Sequence, residues 1–157
     1  MKTLRVIIFF LTVPGTIIFY LPLFLGSKAF PNEKASQFLQ SLGLVSWVIG
    51  GLVAAWCVLA FFTLGHGTPD PNDPPMALVT SGLYRRTRNP MYIGGLLIVL
   101  GHWLYFQSWL LLAYLALVFL LFHHLVIFYE EPHMRRQFGE AYERYCKQVP
   151  RWIGRLG

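Results

Sequence analysis

Hydrophobic and polar positions in this chain of 157 residues fall into long uncharged runs separated by short charged breaks. Val6 to Leu25 carries no charge and follows a start that holds Lys2 and Arg5. Phe38 to Leu64 is a second such run, and from Met91 to Tyr129 there is no Asp, Glu, Lys or Arg. A helix rises about 1.5 Å per residue, so roughly 20 apolar residues cross a hydrocarbon core of about 30 Å. The first two runs are each one span. The third is too long for one and suits two, turning at Gln107-Ser108. The pattern predicts an all-α, polytopic membrane protein of one domain, 1–157. Its four transmembrane helices lie at about 6–25, 38–64, 91–106 and 109–129, the last two forming a tight helical hairpin.

Punctuation within the runs refines this. Pro14, Gly15 and Pro22 bend the first span, and Ser27-Lys28-Ala29 is a poor signal-peptide cleavage site, so the span is expected to be retained. Gly26 to Gln37 reads as a short polar loop. In the second span Ser46, Gly50 and Ala54 recur every fourth position beside Gly51 and Ala55, which lets a neighbouring helix approach closely. The loop 65–90 is long and holds four prolines at 69, 71, 74 and 75; a loop of this length points to function. After Glu130, Met134, Phe138, Tyr142, Tyr145 and Val149 share one helical face, predicting an amphipathic helix over 131–149 that Pro150 ends. Glu140–Arg144 and Glu143–Lys147 fit i,i+4 pairs on its surface.

Composition agrees with the pattern. Hydrophobic residues make up 55% and charged residues 13%, against about 25% charged in soluble domains. The two cysteines form neither a disulfide framework nor a zinc cluster, and Cys57 and Cys146 read as packing residues. Charge decides the orientation. With four spans, eleven of the thirteen Lys and Arg residues share the side of the amino terminus, the 65–90 loop and the carboxyl tail. The positive-inside rule makes that side cytoplasmic.

The same topology brings candidate chemistry together. The third span leaves the cytoplasmic face at Asn89-Pro90 and the fourth returns to it at Glu130-Glu131. Arg85, Arg86, Arg88, Asn89, Tyr84, Tyr92, Glu130 and Glu131 should therefore be neighbours. Two readings stand open. The carboxylates and arginines can form a structural ion-pair cluster, with arginines anchoring the loop to anionic lipid. Alternatively they line a pocket for a zwitterion, the carboxylates receiving an ammonium and the cations a carboxylate. No metal site is expected: His102 and the His123-His124 pair would lie roughly 16 Å apart along the hairpin, and His66 adds no fixed third ligand.

The string Leu78-Val79-x-Ser81-Gly82-x-Tyr84-Arg85-x-x-Arg88-Asn89-Pro90-x-Tyr92-x-Gly94 resembles the isoprenylcysteine carboxyl methyltransferase-like family. Glu130-Glu131 followed by Phe138-Gly139-Glu140-x-Tyr142-x-x-Tyr145-x-x-x-Val149-Pro150 matches the same family in order and separation. Asn89-Pro90-Met91-Tyr92 with the later Glu-Glu is also similar to the phospholipid N-methyltransferases. The resemblance implies an integral-membrane methyltransferase that uses S-adenosylmethionine on the cytoplasmic side, capped by the carboxyl-terminal segment. It implies cofactor contacts from Gly82, Tyr84, Asn89, Pro90, Tyr92, Gly94, Glu130 and Glu131, with Arg88 at the transfer step. The implied partners are the lipid bilayer and a lipophilic small-molecule or lipid substrate, with no nucleic acid. Isoprenylcysteine enzymes usually carry His where Asn89 stands, and an Arg near Val126, so the acceptor (carboxylate, amine or thiol) stays open, as does the oligomeric state.

Overall fold

In a computed structural model the described residues are 12, 14–28, 35–65 and 76–152, and among them every regular element is a helix. Helix α1 runs Thr16–Lys28, α2 Gln37–Thr63, α3 Pro90–Phe106 and α4 Trp109–Leu125. A π-helical turn, Val126–Glu130, leads directly into α5, Glu131–Phe138; α6 follows as Glu140–Gln148. One 3-10 turn, Gly82–Arg85, sits between α2 and α3. Two helical runs, Gln37–Thr63 and Trp109–Gln148, are long and apolar enough to cross a membrane; α1 and α3 are apolar but shorter. Residues 6–11 and 13 of the expected first span, and the four prolines of the 65–90 loop, lie outside the described residues.

Prolines explain where the helices depart from expectation. The fourth run does not stop at Tyr129 but continues helically through α5. Pro132 has no N–H for the Phe128 carbonyl, and its ring would crowd that oxygen. The π turn widens the helix by one residue there, the Glu131 N–H reaching the Val126 carbonyl instead. Pro22 is served the same way, two residues past the π turn Thr16–Tyr20, in which the Leu21 N–H bonds the Thr16 carbonyl. Helix α1 also runs three residues past Leu25, into the stretch expected as loop.

The expected single helix over 131–149 is two helices. Gly139 breaks it at φ 52° and ψ −127°, a conformation that glycine reaches and a residue with Cβ resists. The apolar face survives the break: Tyr142, Tyr145 and Val149 are buried together, with Met134, Phe138, Cys146 and Leu78 packed on them. The kink also changes an ion pair. Glu140 bonds Arg144 at 3.5 Å as its spacing predicts, but Glu143 takes Arg135 of α5 at 2.6 Å.

Helices α2 and α3 meet backbone to backbone. A Cβ on Gly50 would stand 2.6 Å from the Gly94 carbonyl oxygen, and one on Gly43 would stand 2.8 Å from that of Gly101. Ser46 fills the step between them, its Oγ donating to the Leu97 carbonyl at 2.6 Å. The small-residue stripe is thus real, and α3 occupies it. Gly51 meets nothing within 4 Å, and Ala55 is exposed, so those two are not part of it.

Helix α1 closes the other side of α3. Ile18 packs over Gly95, Phe106 lies over Gly26, and the Tyr114 hydroxyl of α4 donates to the Ile17 carbonyl at 2.7 Å. Gln107, at a positive φ of 51°, links α3 to α4 with Ser108. Its side-chain amide exchanges two hydrogen bonds of 3.0 Å with the Ser36 backbone ahead of α2. The helix ends on that side are stitched to one another. The opposite ends carry the candidate chemistry.

Candidate functional site

Asn89 precedes a proline, so its backbone avoids the helical region; it takes φ −127° and ψ 50°, and Pro90 starts α3. Arg88 and Asn89 consequently turn away from the α3 axis, toward the carboxyl tail. The Arg88 N–H donates to the Pro150 carbonyl at 3.0 Å. The Asn89 amide and the Thr87 hydroxyl both donate to the Arg151 carbonyl, at 2.9 and 3.1 Å. Thr87 Oγ1 in turn accepts the Asn89 N–H at 3.2 Å. The tail lies across the start of α3, held by backbone and side chain.

Glu131 is the electrostatic hub. It is 6% exposed, and three guanidiniums surround it. Arg151 grips both carboxylate oxygens, Nε to Oε1 at 2.6 Å and Nη2 to Oε2 at 3.0 Å. Arg88 Nη1 lies 3.1 Å from Oε1, and Arg135 stands at 4.0 Å on the rim. The Glu131 hydrogen bond holds the Arg151 guanidinium above its ordinary pKa. Breaking such a buried, multiply bonded pair by removing one partner would leave an uncompensated charge.

Glu130 is placed differently. Among the described residues it receives one hydrogen bond, from the Tyr92 hydroxyl. Tyr92 sits one turn into α3 and packs its ring on Phe122 of α4 at 4.7 Å between centroids. The pair of acids that looks equivalent in sequence therefore takes two environments. Glu131 joins the tail to Arg88, and Glu130 is hydrogen-bonded to Tyr92.

The remaining sequence-nominated residues separate from this cluster. Tyr84 is buried among Cys57, Ala60, Trp56 and Phe61 beside α2, and burial pushes its hydroxyl well above the ordinary range. Its carbonyl accepts the Tyr145 hydroxyl at 2.7 Å, which fastens α6 to the 3-10 turn. Gly82, at φ 59°, leaves room for the Trp56 ring, and Gly94 faces Gly50 and Ala54 of α2. Pro90 is buried at the start of α3. Gly82, Tyr84 and Gly94 pack against α2; Arg88, Asn89, Tyr92, Glu130 and Glu131 come together. Arg85 and Arg86 are exposed, and Tyr129 points outward at 63% exposure.

Sequence reasoning missed four participants. Arg151 lies one residue past the Val149-Pro150 that closes the second motif, and its position there is the only signal it gave. Cys146, read as packing, places Sγ 2.8 Å from Arg88 Nη1, and the Tyr142 hydroxyl stands 3.5 Å from the same nitrogen. Trp152 donates its indole N–H to His123 Nδ1 at 3.0 Å and stacks on that ring, which anchors the tail to α4. Among the described residues no group of three or more His, Cys, Asp or Glu side chains is placed to hold a metal ion.

A family model described as phospholipid methyltransferase matches residues 38–141, from α2 into α6. The chain is 31% identical over 121 residues to a probable protein-S-isoprenylcysteine O-methyltransferase of Oryza sativa subsp. indica, covering 76% of this chain and 63% of that protein. It is 30% identical over 134 residues to the cobalt-zinc-cadmium resistance protein CzcN of Cupriavidus metallidurans, covering 85% of this chain and 57% of that one. With a protein-S-isoprenylcysteine O-methyltransferase of Schizosaccharomyces pombe it shares 34% over 91 residues, 58% of this chain and 39% of the relative. The chain thus spans about three fifths or less of the length of these curated relatives. With the family model covering the first motif, the helices that follow it and the second motif as far as Ala141, the chain belongs to the phospholipid methyltransferase family.

Proposed function

We propose that this protein is an S-adenosylmethionine-dependent integral membrane methyltransferase acting on a lipophilic acceptor. The observation that carries the reading is the convergence of the Asn89-Pro90-x-Tyr92 corner with Glu130 and Glu131 beneath the docked tail. The relatives named as isoprenylcysteine O-methyltransferases favour a carboxylate acceptor, and the phospholipid methyltransferase model keeps an amine in play; a thiol is the third option. The cofactor supplies an activated methyl group on a sulfonium. The residues suit its polar end: Glu130 has capacity for an ammonium, and Tyr92, bonded to it, presents a ring compatible with a cationic sulfonium. Methyl transfer between such partners is chiefly an orientation problem, which a corner fixed by five hydrogen bonds and ion pairs is suited to solve. A reading from another class, a non-catalytic membrane subunit whose basic face binds anionic lipid, draws on exposed Arg85 and Arg86. Calorimetry in detergent separates the two. Titration with S-adenosylhomocysteine should give saturable binding of about one per chain, and its absence would favour the lipid-binding subunit.

The topology belongs to the same proposal. Helices α1 to α4 are the four spans, α3 and α4 forming a hairpin, with both termini and the Glu130–Arg88 cluster cytoplasmic. Helix α3 is about 25 Å long at 1.5 Å per residue, so its polar start stays near the interface. A cysteine introduced at Asn32 should be labelled by an impermeant reagent in intact cells, and one at Asp73 should not. The reverse pattern would overturn the orientation.

A further inference from the structure

We propose that His123 presents its Nε2–H as a hydrogen-bond donor to an oxygen of the lipophilic acceptor's polar group, in a tautomer that Trp152 fixes. A tryptophan indole carries a donor and no acceptor, so the 3.0 Å contact between Trp152 Nε1 and His123 Nδ1 makes Nδ1 the acceptor. A protonated imidazole has donors on both nitrogens and cannot form this bond. While the bond stands, the ring is neutral and its proton sits on Nε2, because a partner on one ring nitrogen sets the role of the other. Among the described residues no side chain or carbonyl accepts from Nε2. Nor is that nitrogen sealed inside the protein. The buried, unpartnered side-chain nitrogens among the described residues are Arg88 Nε and His102 Nε2, and the His123 ring is half-buried.

Polar residues within membrane spans are costly, and those kept there commonly mark a substrate path. The other histidines of the spans have local uses. His124 points outward with Nδ1 on the Leu120 carbonyl of its own helix, and His102 is enclosed by the Phe19 and Trp47 rings. His123 instead stands beside the site. Trp152 and Tyr92 pack on the same cluster around Phe122, so the His123–Trp152 pair adjoins the ring that holds Glu130. His123 lies two turns before Glu130, about 10 Å toward the hydrocarbon at 1.5 Å per residue. A lipophilic acceptor coming from the bilayer brings its polar group past this level to meet a methyl donor held at Glu130. Being uncharged, the imidazole can bind a carbonyl, carboxylate or phosphate oxygen without placing a cation in the apolar wall of Phe119, Phe122 and Trp152. With Nδ1 engaged and Nε2 protonated, it can hold the acceptor and cannot take its proton. The acceptor as owner of that oxygen rests on the methyltransferase reading.

The test uses His123→Phe and Trp152→Phe in the full chain in detergent, with S-farnesylcysteine and phosphatidylethanolamine as acceptor probes. Heteronuclear NMR of histidine-labelled protein near neutral pH should show His123 as the neutral Nε2–H tautomer in the wild type, and Trp152→Phe should lose that preference. A wild type in the Nδ1–H or imidazolium form overturns the proposal. For a probe that takes up labelled methyl, His123→Phe should raise the half-saturating concentration about three- to tenfold, the size of one net hydrogen bond. S-adenosylhomocysteine affinity and melting temperature should stay near wild type. An unchanged half-saturating concentration overturns the proposal. Joint weakening of probe and S-adenosylhomocysteine with a lowered melting temperature overturns it too, since the pair would then be a clasp for the tail alone. If neither probe is methylated, the donor is read from the His123 Nε2 resonance, which should shift saturably with one of them; no shift with either overturns it. Absence of S-adenosylhomocysteine binding to the wild type would sink the methyltransferase reading by itself and leave that resonance to decide the donor.

Discussion

Replacing Glu131 with glutamine should destabilise the folded chain in detergent by about 3–5 kcal/mol, the usual cost of breaking a buried ion pair by removing one partner. The size follows from burial. Glu131 and Arg88 have side chains only 7% and 10% exposed, so the variant leaves the Arg88 charge with a neutral amide where a carboxylate stood. Arg151 is 32% exposed and regains water, which limits its share of the loss. Arg135→Gln supplies the contrast: its guanidinium is half exposed, 4.0 Å from Glu131 and paired at 2.6 Å with the half-exposed Glu143, so it should cost about 1 kcal/mol or less. Melting temperature and denaturant titration of the three proteins would check the order. Equal stability of Glu131→Gln and wild type would show that the ion pair merely accompanies the fold.

The two adjacent acids are not equivalent. Both were visible in sequence as a pair where an uncharged run ends, opposite an Asn-Pro corner, and the forecast that the two clusters meet follows from chain direction alone. What distinguishes Glu130 from Glu131 was not visible, because it depends on side-chain direction at a π turn that Pro132 imposes. The widened turn is a local effect with a readable cause, yet its consequence is tertiary: one carboxylate goes to Tyr92 and the other to Arg151.

The helix contacts show the same boundary. Ser46, Gly50 and Ala54 announced a close approach by their spacing, and α3 fills it. Gly51 and Ala55 are just as small but lie about 100° further around the helix, on another face. Spacing names a stripe and leaves its width and partner to packing. The tail is harder still. Residues 149–152 form no regular element, so no periodicity announces them, and Arg151 and Trp152 act through contacts with residues 20 and 29 positions away. Gly139 falls within the second motif, yet the break it makes between α5 and α6 follows from a positive φ that no hydrophobic pattern encodes.

Glu130→Gln should weaken S-adenosylhomocysteine binding at least tenfold while leaving the melting temperature of the ligand-free chain near wild type. Glu130 lacks the guanidinium partners of Glu131, so its replacement strands no buried cation in the unliganded protein. Its effect should appear only when a ligand ammonium occupies the site. Truncating one partner of a desolvated charge pair in a complex costs about 2–5 kcal/mol, and tenfold in affinity, about 1.4 kcal/mol, is a conservative floor. Tyr92→Phe removes the hydrogen bond that orients the carboxylate among the described residues and should cost less, roughly two- to fivefold, in line with a net hydrogen-bond contribution of about 0.5–1.5 kcal/mol. The decisive comparison is an S-adenosylhomocysteine analogue without its amino group. It should bind the wild type and Glu130→Gln with equal, weak affinity, because the group that reads Glu130 is gone. If the analogue instead lost affinity in the variant by the same factor as S-adenosylhomocysteine, Glu130 would be shaping the pocket rather than receiving the ammonium, and the zwitterion reading of this corner would fall with it.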